Sequence, residues 1–385
     1  LIDDSRKQLV LHALIFLPLG TFNRGMKKVL VTGGAGYIGS HTAVELIAAG
    51  YTPVIADNFS NSTRQAIEGI SAIAQIEPTW IELDFCDFTS VNNLFDEYGP
   101  FVGVIHFAAF KAVGESVRNP LKYYTNNLQS TANVLAAMKK FGVHHLVFSS
   151  SCTVYGQPAE LPVTESSEFL PANSPYGFTK QIGERMICDF MGAEGAPFSA
   201  MLLRYFNPIG AHPSGLIGEL PLGAPENLIP YITQSAAGWR EGLTIFGNDY
   251  DTPDGTCIRD YIHVCDLAEA HVAALEWLAN NPGQCTAVNL GTGEGNSVKE
   301  VIDTFVAATG VQLNYRIGER RAGDVEKIYA RADKAKELLG WTTKRTLHDA
   351  IIDAWNWQLK LGLKHISNRS QIHPEINKGE VHKKS

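Results

Sequence analysis

The chain has 385 residues, enough to bury a large core and to divide into two lobes. Its formal net charge of −8 comes without any basic run, which argues against a nucleic-acid surface and leaves an anionic ligand to local arginines. The six cysteines form no CxxC pair and no metal-ligand spacing, so neither a zinc site nor a disulfide framework is expected, and a reduced cytoplasmic compartment suits them.

Residues 9–19 are apolar, but His12 and Pro18 interrupt them and the run is too short to span a bilayer. The segment that follows is a poor cleavage site for a secretory signal, and Met26 directly precedes the first strand. Residues 1–25 are therefore expected to be a non-native or disordered extension.

From Lys28 to Thr32 the chain reads as a short apolar strand that breaks into Gly33, Gly34 and Gly36 and reopens as a helix. Gly33 permits the tight turn, Gly36 lets backbone amides approach a pyrophosphate, and Gly39 lets the helix pack closely on the sheet. The helix ends at Gly50, a second strand covers 52–56, and Asp57 closes it. A carboxylate there accepts hydrogen bonds from ribose hydroxyls and repels a 2′-phosphate, so the site is expected to take NAD rather than NADP.

Further strands are expected at 79–85, 102–108, 145–150 and 199–206, alternating with helices. That rhythm is the α/β pattern of a Rossmann-like, doubly wound parallel sheet. The helices at 126–141 and 176–191 carry surplus apolar positions, which either cover the sheet or pair across a two-fold axis in a homodimer. Residues 207–257 are rich in Pro, Gly and Asn, with one clear helix near 229–239. Strand, helix and strand resume over 258–293, where the chain is expected to return to the first lobe. Residues 297–361 read as mostly helical with one strand near 312–316, and a polar tail beyond Lys364 reads as disordered. The division expected is an NAD-binding lobe of 26–206 with the return at 258–293, and a smaller mixed α/β lobe of 207–257 and 294–363.

Tyr176 and Lys180 stand four apart on a helix and project from one face. A cation near the phenol, with the positive nicotinamide ring, lowers its pKa toward that of a general base. Ser151, at the carboxyl end of the fifth strand, can hydrogen-bond the phenol or a substrate hydroxyl. Downstream of the glycine turn, this constellation points to NAD-dependent chemistry at a hydroxyl-bearing carbon.

With these motifs the chain resembles the extended short-chain dehydrogenase/reductase family, and within it the UDP-hexose 4-epimerases. The matching stretches are 33–41, 57–62, 106–116, 149–156, 174–180 and 203–212, extended into the second lobe by 246–249, 259–263 and 321–324. The resemblance implies that Gly33, Gly36, Tyr37, Ile38, Gly39, Asp57, Asn58, Phe59, Ser60, Asn61, Ser62, Asp84 and Phe85 contact NAD. Phe107, Ala108, Ala109, Phe110, Lys111, Asn126, Ser151, Tyr176, Lys180 and Phe206 complete that set. Ser151 and Tyr176 would flank the sugar C4 hydroxyl, while Asn207, Asn227, Leu228, Phe246, Arg259, Arg321 and Asp324 would hold the UDP. Ile328 would line the hexose pocket, where bulk excludes N-acetylated sugars; its intermediate size favours glucose and galactose and leaves an N-acetylhexosamine-tolerant 4-epimerase as an alternative. The reaction implied is reversible C4 epimerisation of UDP-glucose and UDP-galactose through a 4-keto sugar, with resident NAD and no metal. Two rivals are a sugar-nucleotide 4,6-dehydratase and a non-catalytic NAD-binding scaffold. Dehydratases carry an Asp-Glu pair where this chain has Cys152 and Thr153, and scaffolds commonly lose the Tyr or the Lys.

Overall fold

The computed structural model describes residues 27–372 apart from 195–196 and 322–323, so the expectation for residues 1–25 lies outside the described residues. The first half alternates strand and helix: β1 (Lys28–Thr32), α1 (Tyr37–Ala48), β2 (Thr52–Asp57), α2 (Gln65–Ala74), β3 (Thr79–Glu82), α3 (Phe88–Tyr98) and β4 (Gly103–His106). A short α4 (Val113–Arg118) leads into α5 (Pro120–Phe141), β5 (His145–Ser149), a 3₁₀ turn (Cys152–Tyr155), α6 (Pro175–Glu194) and β6 (Ser199–Tyr205). Next come β7 (Asn207–Ile209), α7 (Leu228–Ala236), β8 (Leu243–Phe246), β9 (Ile258–Arg259), β10 (Tyr261–His263), α8 (Val264–Asn280) and β11 (Cys285–Leu290). The chain closes with β12 (Asn296–Ser297), α9 (Val298–Thr309), β13 (Tyr315–Gly318), β14 (Lys327–Ile328), α10 (Asp333–Leu339) and α11 (Leu347–Ile372).

Local chemistry sets these ends. Pro120 opens α5 where its missing N–H costs nothing, and Gly142 closes it in the left-handed conformation at φ 65°. Lys139 and Lys140 in its last turn complement the helix dipole. A reciprocal cap starts α9: Ser297 accepts from the Glu300 N–H while the Glu300 carboxylate accepts from the Ser297 N–H.

Seven parallel strands form the main sheet in the order β11-β6-β5-β4-β1-β2-β3. Both faces are buried, as all-parallel sheets require. On one face Val29 and Val31 pack with Leu46 of α1 and with Leu267 and Leu275 of α8. Leu30, one residue over and so on the opposite face, meets Leu94 of α3 and Val134 and Met138 of α5. β11 returns to this sheet beside β6.

The other strands build small sheets, β8 with β13, β7 with β10, and β12-β9-β14. Around them Ile232 of α7, Ile245, Phe305 of α9 and Ile351 of α11 share a separate core. Three expectations are corrected here. Residues 207–257 hold two short strands besides the expected helix, and the strand near 312–316 lies at Tyr315–Gly318, while two further two-residue strands, β12 and β14, pair with β9 in another sheet. Two residues are too few to show a period of two, so such strands leave no sequence signal. The tail read as disordered from Lys364 is helical as far as Ile372, because a packed helix propagates at little cost once nucleated; later residues lie outside the described ones.

Candidate active site

A cleft of about 1260 Å³ opens at the carboxyl ends of the main-sheet strands, beside β1 where the strand order reverses. This is where doubly wound sheets take ligands, because the loops from neighbouring strands part there. The glycine turn forms its floor. Gly33 has φ +65°, and a Cβ on it would stand 2.8 Å from the Ala108 nitrogen. A Cβ on Gly39 would meet the Gly33 carbonyl oxygen at 2.5 Å, so any side chain would push α1 off the turn. Asp57 ends β2 with its carboxylate accepting from the Ala35 N–H at 3.0 Å, the Phe59 N–H at 2.9 Å and the Ser62 hydroxyl at 2.9 Å. Burial raises its pKa while these hydrogen bonds oppose the rise. A close-packed glycine turn that puts amides at a helix N-terminus, with a carboxylate at the next strand end, fits an NAD molecule.

Ser60, Asn61 and Ser62 after β2, Asp84 and Phe85 after β3, and the run from Phe107 to Lys111 after β4 all line the cleft. So do Gly36, Tyr37, Ile38, Asn58, Asn126 and Phe206. Phe59 does not. Its ring packs edge-on against Trp80 at 5.8 Å, with Arg64 above both rings, so it shapes the loop from outside. An apolar ring gains more from Trp80 than from a wet cleft wall. Tyr37 lines the cleft, but its hydroxyl donates to the Gly210 carbonyl at 2.7 Å and ties α1 to the segment after β7.

Ser151, Tyr176 and Lys180 meet at the carboxyl end of β5. Ser151 caps the 3₁₀ turn, accepting from the Thr153 N–H at 3.2 Å, and its hydroxyl favours the ionised form of the Tyr176 phenol. Burial pushes that phenol up to about 12, and the bond to Ser151 works against the rise. Lys180 donates to the Ser149 carbonyl, and its ammonium lies 5.9 Å from the Tyr176 ring centroid. Burial brings its pKa down to about 8, with Glu184 opposing. Ser151 lowers the phenol pKa in this structure, while the Ser149 carbonyl holds the Lys180 ammonium at the end of β5.

Below this trio lies a buried ion pair. Arg204 of β6 grips both oxygens of Glu184, at 2.9 Å and 2.7 Å, and Glu184 also accepts from Ser150. The guanidinium donates to the Tyr155 hydroxyl at 3.1 Å and lies over the Phe169 ring at 4.6 Å. The pair fixes the 3₁₀ turn, α6 and β6 relative to one another.

The opposite wall carries Asn207, Asn227, Leu228, Phe246, Arg259, Arg321, Asp324 and Ile328. Arg321 reaches both Asp324 oxygens at 3.1 Å and 3.2 Å, and Arg259 approaches the same carboxylate at 3.9 Å. Arg321 also lies over the Phe246 ring at 5.4 Å. Asp324 thus holds two guanidinium groups together, a clamp suited to a diphosphate beside an aromatic platform suited to a base. Ala322 and Gly323 lie outside the described residues.

Other residues shape the site without having been expected to touch a ligand. The Thr153 hydroxyl lines the cleft, buried and without a hydrogen-bond partner among the described residues. Asn127 holds the Phe110 backbone at both N–H (2.9 Å) and carbonyl (3.0 Å) and reaches Thr179 of α6 at 3.1 Å. Glu219 accepts from Lys111 at 2.9 Å and Asn227 at 2.6 Å, joining the loop after β4 to the start of α7. Only tertiary folding brings these groups together. Among the described residues no group of His, Cys, Asp and Glu could hold a metal.

The model of the NAD dependent epimerase/dehydratase family matches residues 29–291. Among curated relatives, UDP-glucose 4-epimerase from Bacillus subtilis (strain 168) is 51% identical over 330 residues, covering 86% of this chain and 96% of its own. The Homo sapiens UDP-glucose 4-epimerase is 49% identical over 338 residues, with 86% and 96% covered. A solved UDP-glucose 4-epimerase from Bifidobacterium longum, in complex with NAD+ and UDP, superposes with a TM-score of 0.84 at 45% identity, covering 86% of this chain and 98% of that one. The Stenotrophomonas maltophila UDP-glucose-4-epimerase, with NAD and formylated UDP-arabinopyranose bound, also gives 0.84, at 44% identity and 88% and 99% coverage. With its glycine turn, Ser-Tyr-Lys trio and arginine clamp in one cleft, this chain belongs to the NAD dependent epimerase/dehydratase family.

Proposed function

We propose that this protein interconverts UDP-glucose and UDP-galactose by inverting C4 through a 4-keto sugar, with NAD resident in the cleft. The observation that carries the reading is the Ser151, Tyr176 and Lys180 trio set in the same cleft as the clamp of Arg259, Arg321 and Asp324. Bound NAD supplies a site that accepts a hydride and gives it back. Tyr176 takes the C4 hydroxyl proton as that carbon becomes a ketone and returns it after the hexose has turned its other face. Ser151 orients the phenol, and Lys180 holds the end of β5 beneath it. The arginines keep the diphosphate in place, so binding energy far from C4 tolerates a loosely held hexose. Asp57 at the ribose end favours NAD over a 2′-phosphorylated cofactor.

Purified protein given UDP-glucose and no added cofactor is expected to form UDP-galactose; no product would defeat the reading. Elimination chemistry is disfavoured, because burial pushes the Cys152 thiol up to about 12 and Thr153 does not titrate near neutrality.

Arg321→Leu is expected to raise KM for UDP-glucose about tenfold with kcat nearly kept, since a charge-assisted bond to the diphosphate contributes ~1.5–3 kcal/mol and this arginine is partly exposed. Initial rates over a range of substrate concentration measure it. Ile328 packs against Cys152 and Phe206 at the cleft wall. Ile328→Gly is expected to increase turnover of UDP-N-acetylglucosamine by roughly tenfold relative to UDP-glucose, by opening space beside the hexose. No gain would mean that Ile328 is a packing residue only.

The same reading divides the chain into an NAD lobe and a UDP-sugar lobe and takes it as a cytoplasmic homodimer. Among the described residues no helix is long and apolar enough to cross a membrane. Supporting the dimer, Leu121 of α5 and Phe178 of α6 are 76% and 45% exposed, and Tyr124 meets the Phe178 ring edge-on. Sedimentation of Phe178→Glu as a monomer is the expected check.

A further inference from the structure

Cys188 on α6 and Cys285 at the start of β11 bring their Sγ atoms to 2.8 Å, closer than two sulfurs in ordinary contact. Both are free thiols on exposed residues, and 97 residues separate them in sequence. They lie outside the cleft, and none of the epimerisation chemistry uses them. Exposure admits a small reagent, and proximity lets one sulfur reach the other without rebuilding the fold.

We infer that Cys188 and Cys285 form an oxidisable pair that closes to an intramolecular disulfide, tying the helix that carries Tyr176 and Lys180 to the last strand of the main sheet. The oxidant is a low-molecular-weight disulfide of the glutathione class. The Cys188 thiolate attacks one sulfur of that disulfide, forming a mixed disulfide and releasing one small thiolate. Cys285 then loses its proton and attacks the Cys188 sulfur, displacing the second small thiolate. Two protein thiols are oxidised by two electrons, and one small disulfide is reduced to two thiols. The two thiols face each other, so the same steps balance with Cys188 and Cys285 exchanged. The crosslink closes a loop of nearly one hundred residues, so it removes conformational freedom mainly from the unfolded chain.

The test incubates the reduced, purified holoenzyme with oxidised glutathione, then measures intact mass, peptide map and thermal midpoint. The expected result is loss of two hydrogens, a Cys188–Cys285 crosslinked peptide, and a midpoint about 3–6 °C higher that dithiothreitol reverses. Cys188→Ser and Cys285→Ser should each abolish the crosslink and the shift. Neither residue belongs to the site, so the reduced variants should keep wild-type turnover, and a variant that does so is folded. Recovery of both thiols free, or of each carrying its own glutathionyl group, would overturn the inference. So would a crosslink through other cysteines.

Discussion

Tyr176→Phe is expected to lower kcat by about 10³-fold while leaving the affinity for UDP nearly unchanged. The substitution removes one oxygen from the reacting face of α6 and nothing from the arginine clamp, so it deletes proton transfer without deleting binding. Stopped assays on UDP-glucose and equilibrium binding of UDP measure the two halves, and near-normal turnover would remove Tyr176 from the mechanism. The pH dependence follows from the same group. Catalysis needs the phenolate, which forms above the phenol pKa, and burial raises that pKa, so kcat should climb with pH on its acid limb. The hydrogen bond from Ser151 opposes the rise. Ser151→Ala therefore leaves the phenol still weaker as an acid and should move the limb to higher pH, and an unmoved limb would show that Ser151 does not tune the base.

Arg204→Met is expected to destabilise the fold by ~3–5 kcal/mol, the largest stability effect of any single change considered for this chain. The loss is greater than that of a surface pair because Glu184 is buried and would keep only Ser150 as a side-chain hydrogen-bond donor, with Lys180 as a more distant cation. Replacing both partners by apolar residues, as in Arg204→Met with Glu184→Leu, should recover most of the loss, since neither member of the pair is left facing a missing partner. Denaturant unfolding of the two singles and the double measures the coupling. Additive effects would mean that the ion pair contributes only packing.

These two residues also mark what was legible in the sequence. Tyr176, Lys180 and the turn at Gly33, Gly36 and Gly39 sit within short windows whose spacing maps directly onto a helix or a strand end. Their positions in the cleft follow from local rules. Arg204 and Glu184 lie 20 residues apart on different elements, and nothing local says that the two charges meet beneath the site. The same holds for Asp324, which draws Arg259 and Arg321 together, and for Glu219, which links Lys111 to Asn227. Phe59 sits within a readable motif, yet its side chain leaves the cleft for Trp80, a competition between two packing options that spacing cannot decide. The short strands β9, β12 and β14 owe their existence to one another, so none of them has a pattern of its own.

The position of β11 bears on how the chain acquires its shape on the ribosome. The strand that borders β6 is made only after the whole 207–284 segment has emerged. Until then β6, a mostly apolar strand whose seven residues are all buried in the finished fold, presents an unpaired edge to other nascent chains. A gene fragment stopping at residue 206 would keep the glycine turn and the Tyr176 helix yet leave that edge open for good, so it should accumulate as inclusion bodies rather than as a small NAD-binding protein. The cofactor half of the molecule is contiguous in space but is completed only late in synthesis, and a cell obtains it by making the rest.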